Sequence, residues 1–317
     1  MARLLILLTL PPPVREQYRA ALAGRFPELT IDVVDHHSKA GAFIHEADAL
    51  LTFGPHMKDE VLRGAAKLKW VQALGTGVDN LIDLPSLKQD VIITNIRGIH
   101  GAPVSEAALM MMLGLARDFA LSLRNQERQV WARWPAQLLD GKTIGIYGIG
   151  AIAEVLAPKC KALGMTVVGF TSVPRDLPGF DCMHARGDLI MQAPKLDFLV
   201  LLAPYSEETR NAIDMRVFSA MKPSSYLINL ARGGIVDEAA LLTALARGEI
   251  AGAALDVFQE EPLPAGHPLW SAKNVLITAH LGGFCDVYAE RALPTVEHNM
   301  ACFLRGDFDA MVNVVRR

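Results

Sequence analysis

Residues 143–153 read Thr143-Ile-Gly-Ile-Tyr-Gly148-Ile-Gly150-Ala-Ile-Ala153, an apolar run, a glycine turn spaced GxGxxA and the first turn of a helical pattern. Gly148 permits the tight turn, Gly150 lets backbone approach a pyrophosphate, and Ala153 lets the helix pack close to the strand. Amides at the helix start, near Ala151 and Ile152, then face the phosphates, where the helix dipole favours negative charge. A glycine turn alone is common structural punctuation. With a strand before it and a helix after it, a dinucleotide site is the favoured reading.

The same rhythm runs outward in both directions. Leu4–Leu10, Thr30–Val34, Ala49–Thr52, Trp70–Ala73 and Val91–Thr94 have the short apolar runs of buried strands, with Val14–Phe26 and Lys58–Ala65 helical between them. Beyond the glycine turn, Thr166–Phe170, Phe198–Leu202, Ser225–Asn229, Ala251–Leu255 and Val275–Thr278 continue the strand series, with helices Gly150–Ala162 and Asp237–Gly248. Alternating β and α elements predict α/β architecture with parallel sheets covered on both faces. At 317 residues the chain exceeds what one core serves comfortably, so two doubly wound domains are expected. The long helical pattern Pro103–Gln129 carries the chain into the second domain. Val287–Phe303 returns it to the first, with Met311–Val315 as a closing strand. The expected domains are residues 1–98 with 284–317, and residues 99–283.

Bulk composition narrows the function classes. With 31 basic and 34 acidic residues the net charge is −3, and no segment concentrates Lys or Arg into a nucleic-acid footprint. No run approaches the ~20 apolar residues of a membrane span. The N-terminal Leu4–Leu10 runs into Pro11-Pro12-Pro13 without a small-residue cleavage site, so it reads as a strand rather than a signal peptide. Cys160, Cys182, Cys285 and Cys302 lack CxxC spacing, which predicts reduced, buried thiols, no metal site and a cytoplasmic location. His36, His37 and His100 carry no ligand spacing and read as surface or core residues. The adjacent His36-His37 pair is expected to point to opposite sides of the backbone.

The strand after the glycine turn bears on the choice of nicotinamide cofactor. An acid about 20 positions on accepts hydrogen bonds from the adenosine ribose and repels a 2′-phosphate. Here the chain reads Val168-Gly-Phe-Thr171-Ser172-Val-Pro-Arg175, with no carboxylate before Asp176. Thr171 and Ser172 offer hydroxyl donors and Arg175 a cation, so NADP(H) is favoured over NAD(H). In the alternative reading Arg175 is a solvated loop residue.

Three further segments follow in order: Ile228-Asn229-Leu230-Ala231-Arg232-Gly233-Gly-Ile-Val236-Asp237, Asp256-Val-Phe-Gln-Glu-Glu261-Pro262, and Leu276-Ile-Thr-Ala-His280-Leu-Gly282-Gly283. Together with the glycine turn they resemble the D-isomer-specific 2-hydroxyacid dehydrogenases, a family that includes glyoxylate, hydroxypyruvate, phosphoglycerate and D-lactate enzymes. The resemblance runs from Gly75 to His280. It implies a Rossmann-type cofactor domain, a flavodoxin-like substrate domain, and hydride transfer between NAD(P)H and a small 2-keto or 2-hydroxy acid.

By resemblance Arg232, Glu261 and His280 are the catalytic trio, and the chemistry needs those types. Oxidising an alcohol by hydride loss releases a hydroxyl proton, and imidazole titrates where it can accept one. A carboxylate on the far ring nitrogen fixes the tautomer, and a planar guanidinium holds a carboxylate and polarises the adjacent carbonyl. The resemblance adds cofactor contacts at Val104, Ala203, Pro204, Thr209, Leu230, Ala231, Gly282 and Gly283, with Asp256 on the nicotinamide carboxamide. It also makes Ala73-Leu-Gly75-Thr76-Gly77-Val78 the loop whose amides bind the substrate carboxylate, so Thr76 and Gly77 are substrate contacts, with Phe53 and Gly54 lining the same site. The family pairs subunits through the region Pro103–Trp134, which implies a homodimer. Trp131 and Trp134 are candidates for the interface or the pocket, or else core.

Two departures stand out: Ala279 where the family usually has Pro, and Ser105 where Ala is commoner. Two rivals remain. A formate or phosphite dehydrogenase shares the fold, but formate enzymes of this type pair the histidine with Gln, not Glu. A non-catalytic dinucleotide sensor shares the cofactor site but turns over no acid.

Overall fold

Residues 1–54 and 57–315 are described by the structure, a computed structural model. The chain forms two compact units, one built from residues up to Ile99 together with those from Asp286 on, the other spanning His100–Cys285.

In the first unit β1 (Arg3–Leu7), α1 (Pro12–Arg25), β2 (Thr30–Val34), β3 (Ala49–Thr52), α2 (Asp59–Arg63), β4 (Trp70–Ala73) and β5 (Ile92–Thr94) alternate. The sheet is parallel, in the order β2-β1-β3-β4-β5, which is the flavodoxin-like order. Strands covered on both faces need near-continuous apolar sequence; β3 and β4 are buried at every position. The first strand ends at Leu7 rather than Leu10, because Pro12 already opens a helix.

The C-terminal helix, Tyr288–Arg305, packs on this sheet through a buried polar network. Asn299 donates to Gln72 Oε1 at 3.0 Å, Thr94 Oγ1 donates to the same oxygen at 2.8 Å, and Trp70 Nε1 donates to Thr94 Oγ1 at 2.8 Å. The expected closing strand Met311–Val315 is not one. A single antiparallel bridge, Thr94 with Val314, stands in its place. Asn299 Oδ1 takes the amide of Val312 at 2.9 Å, and Asn313 turns left-handed at φ 58, so the run is neither free to pair nor extended.

The second unit opens with α3 (Gly101–Ala116) and α4 (Phe119–Glu127). The expected single helix Pro103–Gln129 is therefore two. The break falls at Asp118, left-handed at φ 48, a conformation that Asp tolerates better than most residues. The first helix also starts earlier, since Pro103 sits in its first turn, where the missing N–H costs nothing.

There follow β6 (Thr143–Tyr147), α5 (Ala151–Ala162), β7 (Thr166–Thr171), β8 (Cys182–Ala185), α6 (Leu189–Gln192), β9 (Phe198–Leu201), α7 (Met215–Ala220), β10 (Tyr226–Asn229), α8 (Glu238–Arg247), β11 (Gly252–Leu255) and β12 (Val275–Ile277). The seven parallel strands lie in the order β12-β11-β10-β9-β6-β7-β8. This is the doubly wound dinucleotide-binding order extended by one strand, with its switch point between β6 and β9. One face packs α3 and α5 through Ile144, Ile146, Leu156 and Val200. The other packs α7 and α8 through Leu199, Phe218, Leu227 and Leu241.

All four cysteines are free thiols, but only Cys160 and Cys302 are buried. Burial pushes the Cys160 thiol up to about 12, so it is inert, whereas Cys182 is exposed, contrary to expectation. The His36 and His37 rings meet edge to face at 5.7 Å rather than pointing apart, since Ser38 holds His36 through its amide and hydroxyl. Among the described residues no helix is long and apolar enough to cross a membrane.

Candidate active site

Parallel register aligns Asn229, Leu255 and Ile277 at the carboxyl edge of three adjacent strands. Arg232, Glu261 and His280 follow these ends within three to six residues, so three loops leave the sheet side by side. Ligands in open α/β sheets bind at this edge. Close approach of two of the loops is enforced at Gly233, where an added Cβ would lie 1.9 Å from the backbone carbon of Phe258. Asn229 braces the arginine turn, donating to Arg232 O at 2.9 Å and accepting from Ala231 N at 3.1 Å.

Glu261 is held by Phe258 N, which donates to Oε1 at 3.0 Å, while Oε2 lies 2.7 Å from His280 Nδ1. The loop beneath is tied to α8, with Gln259 N donating to Glu238 Oε1 at 2.7 Å.

His280 itself is left-handed, at φ 53, a strained backbone for a residue with a Cβ. Asp256, 2% exposed, accounts for its persistence. Its Oδ1 accepts from Thr278 Oγ1 and from Leu281 N at 2.8 Å, its Oδ2 accepts from Gly282 N at 2.8 Å, and its carbonyl accepts from His280 N at 2.8 Å. The resemblance assigns Asp256 to the nicotinamide carboxamide. In this structure its carboxylate first organises the turn that carries the histidine.

The dinucleotide turn lies at the switch point. Gly148, at φ 103, has backbone so close to the β9 end that a Cβ would fall 2.3 Å from Ala203 N. A Cβ at Gly150 would meet nothing within 4 Å, which is the open approach a pyrophosphate requires. No side chain caps the start of α5, leaving the amides of Ala151 and Ile152 directed outward. These residues fit a dinucleotide. Thr171 ends β7 and is buried, Ser172 is exposed, and Arg175 reaches back to Glu154 Oε1 at 3.6 Å on α5. Ala203 and Pro204 follow β9, and Thr209 Oγ1 donates to Pro204 O at 2.8 Å. Leu230, Ala231 and Val104 are buried. A Cβ on Gly282 would meet Leu230 at 2.7 Å, and one on Gly283 would meet Val104 at 3.9 Å, so these residues pack around the histidine turn.

In the first unit, Gly54 lies against the second glycine of the other loop: its Cβ would stand 3.2 Å from Gly77 O. Thr76 Oγ1 donates to Ile96 O at 2.9 Å, Asn95 donates to Thr76 O at 2.6 Å, and the Phe53 ring tilts against Tyr288 at 6.3 Å. The structure thus brings Gly54 and Gly77 together, with Phe53 and Thr76 beside them in sequence.

Two residues named in the sequence without a site role have informative surroundings. His100 immediately precedes α3. A Cβ on Gly283 would lie 3.2 Å from its ring, and burial, with the charge of Arg232 second, pulls its imidazole down to about 4. It is therefore a neutral, packed ring beside both the arginine and the histidine turn. Ser105, the departure from alanine, is buried. It donates to Ala102 O at 2.9 Å and accepts from Lys159 Nζ at 2.7 Å, linking α3 to α5.

A family model described as "D-isomer specific 2-hydroxyacid dehydrogenase, NAD binding domain" matches residues 109–282. A D-3-phosphoglycerate dehydrogenase from Methanocaldococcus jannaschii is 32% identical over 268 residues, covering 83% of this chain and 51% of that one. The chain thus spans about half the length of that relative. A glyoxylate reductase from Thermococcus litoralis is 31% identical over 274 residues, covering 83% and 82%. Among solved structures, an NADPH-dependent glyoxylate/hydroxypyruvate reductase from Sinorhizobium meliloti, in complex with NADP and sulfate, superposes with a TM-score of 0.82. Its identity is 28%, over 99% of this chain and 98% of that one.

Proposed function

The chain belongs to the D-isomer specific 2-hydroxyacid dehydrogenase family, and we propose on that footing that it reduces a small 2-keto acid of the glyoxylate or hydroxypyruvate type with NADPH. The observation that carries this reading is the His280 Nδ1 to Glu261 Oε2 contact of 2.7 Å at the carboxyl edge of the dinucleotide-binding sheet.

The nicotinamide, when bound, supplies or takes the hydride. His280, held by Glu261 through Nδ1, gives the proton from Nε2 to the forming hydroxyl in reduction and takes it back in oxidation. Glu261, on Nδ1, keeps the ring in one tautomer and orientation. Arg232, its backbone carbonyl held by Asn229 and its Nη1 donating to Ala231 O at 2.6 Å, offers a guanidinium to the substrate carboxylate and carbonyl. The backbone of Gly148 and Gly150 and the first amides of α5 carry the pyrophosphate. In the first unit, the family resemblance makes Thr76 and Gly77 candidate substrate contacts, with Phe53 and Gly54 beside them.

NADPH is preferred to NADH because β7 ends in Thr171-Ser172 with no carboxylate before Asp176, and the Sinorhizobium relative is NADPH-dependent. The residue ranges of the two units support assigning residues 99–283 to the cofactor and the remainder to the substrate.

The protein acts as a homodimer in this reading. On α3, α4 and the segment after them, Met110, Leu113, Phe119, Leu123 and Val130 are exposed, and Trp131 is 94% exposed. Exposed apolar side chains concentrated along this stretch support a partner surface there, and Trp131 is not core. Trp134 lines a cavity of about 690 Å³ with Tyr226 and Trp270, at the amino edge of the sheet, away from the trio.

Steady-state turnover of glyoxylate, hydroxypyruvate and other 2-keto acids with NADPH and with NADH tests the assignment. Cofactor binding without turnover of any acid would favour a dinucleotide sensor instead.

A further inference from the structure

Strand β8 ends beside β7 with Ala185 in register with Thr171, so Arg186 emerges next to Ser172 at the edge where the adenosine half of a dinucleotide lies. The environment of this arginine is unusual. Its Nε is buried and has no hydrogen-bond partner, and buried polar groups are rarely left so. Its guanidinium stands 5.8 Å over the ring of Tyr147, the residue that precedes Gly148. Its ion-pair partner is Glu208, 3.6 Å away at Nη1 and itself 83% exposed. A pair that long, with one partner in water, holds its geometry weakly.

Arg175, at the β7 turn, has an ion pair of the same length, 3.6 Å to Glu154 on α5, but it is about half exposed, whereas the Arg186 side chain is 22% exposed. A cation that reads a bound phosphate should be partly desolvated, close to the site, and not committed to a strong internal partner. Arg186 meets these conditions, and Arg175 meets them less well.

We propose that Arg186 is the specificity-determining cation for the adenosine 2′-phosphate, with Tyr147 as the platform on which its guanidinium rests and Glu208 as its counter-ion in the absence of cofactor. The inference rests on the NADPH reading above. A phosphate offers the planar fork two charge-assisted hydrogen bonds that Glu208 at 3.6 Å does not provide. Glu208 then turns to solvent, and Ser172 adds a hydroxyl from the neighbouring strand end. NADH brings only ribose hydroxyls to this place, so it gains little from the arginine.

The test is direct binding, independent of turnover. NADPH, NADH, 2′,5′-ADP and 5′-AMP are titrated calorimetrically into the wild-type protein and into Arg186→Gln, Arg186→Lys and Arg175→Gln. We expect Arg186→Gln to weaken NADPH and 2′,5′-ADP by about tenfold or more, to leave NADH and 5′-AMP within about twofold, and to lower Tm little. Lysine, with charge but no fork, should restore part of the loss, and Arg175→Gln should cost less than Arg186→Gln. An unchanged ratio of NADPH to NADH affinity in Arg186→Gln overturns the proposal, as does an equal loss for both cofactors, which would mark a structural role. If the wild-type protein itself binds NADH more tightly than NADPH, the cofactor reading fails, and this inference falls with it.

Discussion

His280 Nδ1 and Glu261 Oε2, 19 residues apart in sequence, lie 2.7 Å from one another, and each is fixed from behind by a different device. The histidine sits on a left-handed turn that Asp256 holds with both carboxylate oxygens. The glutamate is oriented by the amide of its own loop at Phe258. Proton transfer needs geometry before it needs basicity, and the proposed role of His280 rests on this arrangement.

Replacing Glu261 by Gln keeps a hydrogen-bond acceptor at the ring but removes the charge. We expect kcat for keto-acid reduction to fall about 10- to 100-fold, with NADPH affinity nearly unchanged. Steady-state kinetics alongside cofactor titration checks this. An unaltered kcat would show that the carboxylate charge is not used.

Asp256→Ala leaves the Thr278 hydroxyl and the Leu281 and Gly282 amides without their acceptor. Stranding buried donors costs about 1–3 kcal/mol each, so Tm should fall by several degrees and kcat should fall with it as the His280 turn relaxes. Asn at this position should recover only part of both, because its NH2 faces a donor. Thermal melts and kcat measured on the same samples separate this from a cofactor contact, which would raise the cofactor Kd and spare Tm.

His100 is pulled down to about 4 in the fold, from an ordinary value of 6.5. The unfolded chain therefore binds the extra proton first. The stability this ring contributes is complete above pH 6.5 and is lost as pH falls towards 4, by up to about 3 kcal/mol. Tm measured from near-neutral to mildly acid pH should drop less steeply in His100→Gln than in the wild type. Equal slopes would contradict the assignment.

Gly148→Ala places a Cβ 2.3 Å from Ala203 N on a backbone at φ 103. The turn must shift, so NADPH affinity should fall by about two orders of magnitude or the second unit should fail to fold. Calorimetry on the variant, with circular dichroism as the folding control, reads both outcomes. Wild-type affinity would mean that the dinucleotide binds elsewhere.

The strands were legible because parallel sheets covered on both faces require continuous apolar runs, and Ala49–Thr52 or Thr143–Tyr147 can be little else. The pairing of Glu261 with His280 was legible because each residue sits in a motif. What escaped lacks such signals. β8 reads Cys-Met-His-Ala at a sheet edge, too polar and too short to stand out. The break between α3 and α4 turns on Asp118, with no glycine or proline to mark it. His100 is a lone histidine whose importance comes from Arg232 and Gly283, distant in sequence. The brace at Asp256 was hidden because its partners, 22 to 26 residues on, are backbone amides and one hydroxyl.

The most direct test follows NADPH oxidation by its absorbance, with glyoxylate and hydroxypyruvate, in the wild-type protein and in His280→Ala, with NADPH affinity measured on both. A proton donor at His280 predicts turnover in the wild type and a loss of about 10²- to 10⁴-fold in kcat in the variant, at unchanged cofactor affinity. A variant that keeps the wild-type kcat would contradict the central claim.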